Sequence, residues 1–190
     1  YCFSRRDTEN IAAQLVDNGI NAAPYHAGLE RDIRRATQER FFRDEVPVIV
    51  ATIAFGMGID KPNVRLVVHY SLPKTLDGYY QETGRAGRDG LPSDCVLFFT
   101  ISDKFKQERF IEEIEDPTER AQVTEKLNQM VEFCETRKCR RGFLLRYFGD
   151  TWTQENCGGC DVCLQTSGES GEEFDATIIT QQILSAMIRT

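Results

Sequence analysis

No apolar run in this chain approaches the roughly 20 residues that carry a helix across a bilayer, and no N-terminal signal pattern is visible. No membrane contact is expected. Positive charge is in deficit: the net charge is -7, and most of the acidic excess lies after residue 100. The whole-chain field therefore repels phosphate, and any nucleic-acid surface must be a local patch. No GxxxxGK[ST] occurs, so no loop of the kind that cradles nucleotide phosphates is present. With Tyr1-Cys2-Phe3 reading as the middle of a strand, this leads to the expectation that the chain is cut from a longer protein with a separate nucleotide-binding half. An even cysteine framework is also missing. Seven unevenly spaced cysteines do not make a secreted disulfide scaffold and read as metal ligation in a reducing compartment. Base-stacking aromatics for single strands are not evident, and no internal repeat is visible.

What is present is an alternation of short apolar runs and amphipathic stretches over residues 1–100, the pattern of a parallel sheet covered by helices. Strands are expected at 1–3, 20–25, 46–51, 64–69 and 95–100. The helices between them use Ile11, Leu15 and Val16, then Ile33, Thr37 and Phe41, then Leu76, Tyr79 and Tyr80 as inward faces. Cys2 and Cys95 fall in strands and read as small core residues. After residue 103 the chain becomes helical, with helices at 104–115, 118–137 and 139–148, the first broken by Pro117 and the last stopped by Gly149. Residues 165–175 read as a polar linker. Ile178, Ile179, Ile183, Leu184, Met187 and Ile188 begin an amphipathic helix. The division is therefore 1–103, 104–165 and 166–190.

Two stretches carry chemistry. Gln81-Glu82-Thr83-Gly84-Arg85-Ala86-Gly87-Arg88-Asp89-Gly90 sets two arginines among three glycines. Arginine stays charged and its planar fork matches phosphate oxygens two at a time. If residues 75–85 form a helix, Arg85 and Arg88 leave its end together and could face one anion. A Gly-rich surface turn is the plainer alternative. Upstream, Ala51 to Lys61 follows a central strand, where the amides around Gly56 and Gly58, with Thr52, could meet phosphates. Asp60 could accept from a ribose hydroxyl or pair with an arginine. The second stretch is Cys157-Gly158-Gly159-Cys160-Asp161-Val162-Cys163. A closed structural zinc site needs a fourth ligand, for which Cys139 is the candidate and Cys134, on an apolar helix face, the rival. An iron–sulfur cluster is the alternative occupant. Arg140 and Arg141 form a basic pair in the acidic half that meets either phosphates or nearby glutamates. Ser4, Arg5 and His26 sit at strand ends where they could touch a DNA backbone.

Taken in order, these segments, with Tyr1-Cys2-Phe3-Ser4-Arg5, Tyr25-His26-Ala27-Gly28-Leu29 and Cys139-Arg140-Arg141…Leu144-Leu145-Arg146-Tyr147-Phe148-Gly149, resemble the C-terminal half of the catalytic core of a RecQ-family ATP-dependent DNA helicase of the bacterial type. The resemblance covers roughly residues 1–165. It implies a second RecA-like domain, a parallel sheet with helices on both faces, followed by a small, mainly helical zinc-binding domain and the start of a winged helix. It implies Arg88 as the main arginine finger with Arg85 supporting it and Gln81 near the phosphates or the attacking water. Gly58 and Asp60 would lie at the nucleotide, and Ser4, Arg5, His26, Thr52, Arg140 and Arg141 along DNA. Cys139, Cys157, Cys160 and Cys163 would hold a structural Zn2+. ATP and Mg2+ would be the intact enzyme's cofactors. Its partners would be DNA, the first RecA-like domain and single-stranded-DNA-binding protein, in the bacterial cytoplasm at the nucleoid. The expected activity is 3′-to-5′ unwinding of duplex DNA in replication, recombination and repair, with the chain alone inactive. A non-catalytic zinc-bearing DNA-binding or docking module and an RNA translocase are the rival readings.

Overall fold

The structure is a computed structural model, and it describes residues 1–56 and 59–166. These form two compact units, one of residues 1–73 with 81–99, the other of residues 74–80 with 100–166. Apart from Thr166, the linker and winged-helix start expected over 166–190 lie outside the described residues.

The first unit is built on parallel strands. β1 (Ala22–Tyr25) pairs with β2 (Val48–Ala51) in the register Ala22↔Val48 to Tyr25↔Ala51. β3 (Leu66–His69) pairs with β4 (Asp94–Leu97), Leu66 opposite Asp94 and His69 opposite Leu97. The expected first strand at 1–3 is shorter than a regular strand, because Ser4 already caps α1 (Arg5–Asp17) by accepting from Asp7 N. It still fills a strand's place. Cys2 N donates to Ala51 O at 2.8 Å, Tyr70 N donates to Tyr1 O at 2.9 Å, and Tyr1 N donates to Val68 O. The segment thus joins the two strand pairs.

Successive strand residues point to opposite faces, and the packing follows. Val50 packs with Ala12 and Leu15 of α1 and with Cys2. Its neighbour Ala51 packs with Tyr25, Phe55 and Phe41, the last from α2 (Arg31–Phe42). Phe55 meets Tyr25 and Phe41 edge-on at 4.7 and 5.6 Å, a preferred geometry for aromatic pairs. Helices therefore cover both faces of the β1–β2 pair. Val16 and Ile33, expected inward, are exposed. The buried stripe of α1 is Thr8, Ala12 and Leu15, which leaves Val16 around the helix, and that of α2 starts one turn late, at Thr37 and Phe41. Cys95 is exposed on β4 rather than a core residue.

α3 (Leu76–Thr83) divides between the units after Tyr80. Leu76 and Tyr79 are buried, but Tyr80 is exposed, its ring tilted against that of Phe148 at 4.7 Å. The second unit continues with α4 (Ile101–Glu112), α5 (Pro117–Glu135), α6 (Arg140–Tyr147) and α7 (Asp161–Thr166). α4 starts earlier than expected because Thr100 N donates to the Asp103 carboxylate at 3.1 Å, a helix-start device. Pro117 opens α5 rather than breaking α4. A first-turn proline gives up only an amide that had no helical partner, and Asp116 accepts from Thr118 N at 2.8 Å. Leu127, Met130, Val131 and Phe133 of α5 are buried, with Phe133 against Tyr79 and Phe143.

Gly142 lies in α6 where an added Cβ would stand 2.4 Å from Trp152 Cδ1. Gly142→Ala is expected to destabilise by about 1–3 kcal/mol despite alanine's better helix propensity. Gly78→Ala, where the new Cβ meets only Thr75 Oγ1 at 3.4 Å, should stabilise by up to about 1 kcal/mol. Thermal melting of the two variants checks the pair.

Candidate functional site

Parallel strands put their C-terminal ends on one edge, where ligands bind in open α/β sheets. Ser4 and Arg5 follow the Tyr1–Phe3 segment, His26 follows β1, and Thr52 follows β2. A cleft of about 540 Å³ there is lined by Phe3, Arg5, Ala27, Thr52, Ile53, Ala54, Gly56 and Gln81. The structure thus brings Arg5, Thr52 and Gln81 together. Ser4 is occupied as a helix cap, its hydroxyl donating to Asp7 at 2.7 Å. His26 does not offer its ring to a ligand. It is 3% exposed, Nδ1 accepts from Gly28 N at 3.2 Å, and Nε2 faces Glu9 at 3.1 Å. Arg5 packs so near Gly28 that a Cβ there would lie 2.9 Å from its Nη1.

The arginine turn is stitched to residues 62–64. Gly87 N donates to Val64 O at 2.9 Å and Asp89 N to Pro62 O at 3.3 Å. Gly87 has φ +63°, and a Cβ on it would stand 2.7 Å from Ser93 Oγ and 2.8 Å from Leu91 O, so only glycine fits. The two arginines part company instead of facing one anion. Arg85 is 8% exposed and donates from Nη1 to Ile59 O at 3.1 Å, serving the 52–60 loop. Its Nη2 would lie 3.3 Å from a Cβ on Gly56, which explains that glycine. Arg88 turns outward, donating from Nε to Gly84 O at 3.1 Å and from Nη1 to Asp60 Oδ1 at 2.7 Å. Gly58 lies outside the described residues.

In the second unit the Sγ atoms of Cys139, Cys157, Cys160 and Cys163 lie within 4.8 Å of one another. Tetrahedral zinc with bonds of about 2.3 Å needs sulfurs roughly 3.8 Å apart, so the set fits. Backbone amides already point at three of the sulfurs: Gly142 N to Cys139, Cys157 N to Cys163 and Cys163 N to Cys160, at 3.4, 3.3 and 3.4 Å. Such donors favour thiolate. Cys134 is outside the group, and burial pushes its thiol up to about 12. Four thiolates leave no open position, so a metal here would be structural. Arg140 is not available to phosphate. Its Nε and Nη2 grip both oxygens of Asp161 at 2.5 and 2.7 Å, and Nη1 donates to Phe133 O at 2.6 Å. The partner is the aspartate inside the cysteine run rather than a glutamate. Arg141 is exposed.

Sequence reasoning missed a buried pair beside the arginine turn. His69 Nε2 sits 2.7 Å from Glu82 Oε2, with the side chains 1% and 9% exposed. Both residues lie inside the segments singled out for other reasons, and nothing in their spacing of 13 residues marks them as partners.

A parallel-sheet domain with a glycine-flanked arginine turn, followed by a four-cysteine helical unit, is the arrangement of a helicase C-terminal domain with an attached metal-binding domain. Residues 1–90 match the helicase conserved C-terminal domain family, and residues 101–164 match the RecQ zinc-binding family. The chain is 44% identical over 189 residues to the ATP-dependent DNA helicase RecQ of Haemophilus influenzae, covering 100% of this chain and 30% of that protein. For the RecQ of Bacillus subtilis the identity is again 44%, with 31% of that protein covered. The RecQ-like DNA helicase blm-1 of Caenorhabditis elegans is 41% identical, with 20% of it covered. The chain belongs to the RecQ family and spans about three-tenths of the length of its bacterial relatives. Among solved structures, a DEAD box protein from Methanococcus jannaschii matches with TM-score 0.50 at 29% identity, covering 58% of this chain and 30% of that one. Escherichia coli DEAD-box protein SrmB, bound to the regulator of ribonuclease activity A, also gives TM-score 0.50, at 26% identity, covering 61% and 69%. Among the described residues no helix is long and apolar enough to cross a membrane.

Cys163→Ser should remove zinc from the purified chain, measured by elemental analysis, and lower its helix content, because metal-binding free energy is folding free energy in such domains. A pH effect comes from His69. Burial lowers its pKa below 6.5, against a smaller upward pull from Glu82. The folded state then binds fewer protons than the unfolded one, so this stability is complete above about pH 6.5 and is lost as pH falls below it. The melting temperature should fall between about pH 7.5 and 5.5, and His69→Gln should flatten that segment of the curve.

Proposed function

We propose that this chain is the second RecA-like domain and zinc-binding domain of an ATP-dependent 3′-to-5′ DNA helicase that unwinds duplex DNA in replication, recombination and repair. The observation that carries the reading is Arg88, held in the glycine-flanked turn by Asp60 with 39% of its side chain exposed. Exposed ion pairs of this kind contribute about 0–1 kcal/mol, so Arg88 can leave Asp60 for a phosphate at little cost. A guanidinium at the transferred phosphoryl group offsets its developing charge, which in measured systems is worth about 10³–10⁵ in rate. ATP and Mg2+ would be held by a first RecA-like domain, whose phosphate-cradling loop has no counterpart here. Gln81, from the wall of the cleft, would meet the phosphates or orient the attacking water. Gly58 and Asp60 would border the nucleotide.

DNA would run along the edge at Arg5 and Thr52, with Ser4 and His26 shaping it, and in the second unit the exposed Arg141 would meet phosphate. Phosphate contacts of this kind give affinity without sequence preference. The four thiolates would hold Zn2+ and keep α6 and α7 together. The partners would be DNA, the first RecA-like domain and single-stranded-DNA-binding protein, in the bacterial cytoplasm at the nucleoid. A docking module would have no use for a Gly-flanked arginine turn. In the two-domain helicase, Arg88→Ala should lower the DNA-stimulated turnover by about 10³ or more, with the KM for ATP and zinc content little changed. The 190-residue chain alone should hydrolyse essentially no ATP. An Arg88→Ala enzyme that turns over normally would remove the basis of the reading.

A further inference from the structure

We infer that His69 and Glu82 are a positioning pair that couples the 52–60 loop to the arginine turn, an inference that rests on the function proposed above. His69 ends β3, and Glu82 lies in the last turn of α3, next to Gln81 and one turn before Arg85. The two meet at 2.7 Å in a site that excludes water. Burying a carboxylate costs several kcal/mol unless it is paired, and well-packed apolar residues of similar volume are often as stabilising as the pair. Stability alone therefore gives little reason for an acid and an imidazole here. What the pair supplies is direction: Glu82 meets His69 in only one rotational setting of the last turn of α3. Turning that helix by one residue, about 100°, would take Gln81 out of the cleft and Arg85 off Ile59 O.

The second arm runs through Tyr1. Its ring stacks on His69 at 5.3 Å with 21° between planes, and its hydroxyl donates to Phe55 O at 3.0 Å. Phe55 belongs to the 52–60 loop, whose other end Arg85 holds at Ile59 O. Loop and turn thus share one hub, His69, gripped from two sides. A shift of the loop on DNA would be felt at Gln81 and Arg85 through Tyr1, His69 and Glu82. Neither residue of the pair reaches the cleft, so both act through others.

The test uses the two-domain helicase, with folding followed by melting and zinc content and chemistry by DNA-stimulated turnover. In the double variant His69→Leu with Glu82→Leu, the apolar pair should keep the melting temperature close to the parent's while kcat falls about 10- to 100-fold and the KM for ATP stays within about twofold. Glu82→Gln, whose amide oxygen still accepts from His69, should retain most of the turnover. A double-leucine enzyme with normal kcat would make the pair merely structural. A Glu82→Gln enzyme as slow as the double variant would show that the carboxylate's charge, rather than its placement, matters. Should the double variant fail to fold, Tyr1→Phe decides, since it keeps the ring on His69 and removes the hydroxyl from Phe55 O and from the Arg85 guanidinium. A several-fold drop in kcat at constant KM supports the coupling, and an unchanged kcat overturns it. Arg88→Ala in the same enzyme separates the two levels. If it is inactive while the double-leucine and Tyr1→Phe enzymes are normal, only the present inference falls. If it is active, the proposed function falls with it.

Discussion

Three backbone hydrogen bonds hold the first unit in register: Cys2 N to Ala51 O, Tyr70 N to Tyr1 O and Tyr1 N to Val68 O. Without them β1–β2 and β3–β4 are separate two-stranded pieces, and two-stranded pairs have little stability of their own. With them, the ends of four extended segments come to one edge. Residues 4–5, 26–28 and 52–56 all leave the sheet there, and His69 sits beneath Glu82. Every candidate contact in this unit depends on that alignment.

Three arginines illustrate how burial sorts identical side chains into different work. Arg88 is partly exposed and paired to an exposed carboxylate, a contact contributing about 0–1 kcal/mol, so it is free to move. Arg85 is buried against Ile59 O, and withdrawing it would strand a charge in the interior, which costs several kcal/mol. Arg140 spends its fork on Asp161 and Phe133 O, fastening the cysteine-bearing α7 to the end of α5. The sequence around each is rich in glycine or charge, and only the packing tells them apart.

That difference marks what could be read from residues alone. Periodicity located all four regular strands and, in the helices, the buried Leu15, Thr37, Phe41, Leu76 and Tyr79, because burial on a sheet imposes its period directly. The cysteine spacing located three of the clustered sulfurs, the resemblance supplied Cys139 as the fourth, and the geometry groups these four without Cys134. The RecQ resemblance supplied the order of domains. Rotational setting was not legible. Val16, Ile33 and Tyr80 are apolar yet exposed, since each helix buries a stripe narrower than its apolar pattern. Long-range partners were equally hidden: Arg140 with Asp161, His69 with Glu82 and Lys61 with Asp44 are joined by the fold, and nothing local announces them. Capping chemistry likewise turned Pro117 from an expected breaker into a helix start.

The account stands on Arg88 exchanging Asp60 for a phosphate. The most direct measurement is a crystal structure of the two-domain helicase with ADP and aluminium fluoride, a mimic of the transferred phosphoryl group. The expected result is an Arg88 guanidinium within about 3 Å of a fluoride, its bond to Asp60 broken, and Arg85 still on Ile59 O. Arg88 remaining on Asp60 with the phosphoryl mimic bound, or Arg85 reaching the fluoride in its place, would contradict the account.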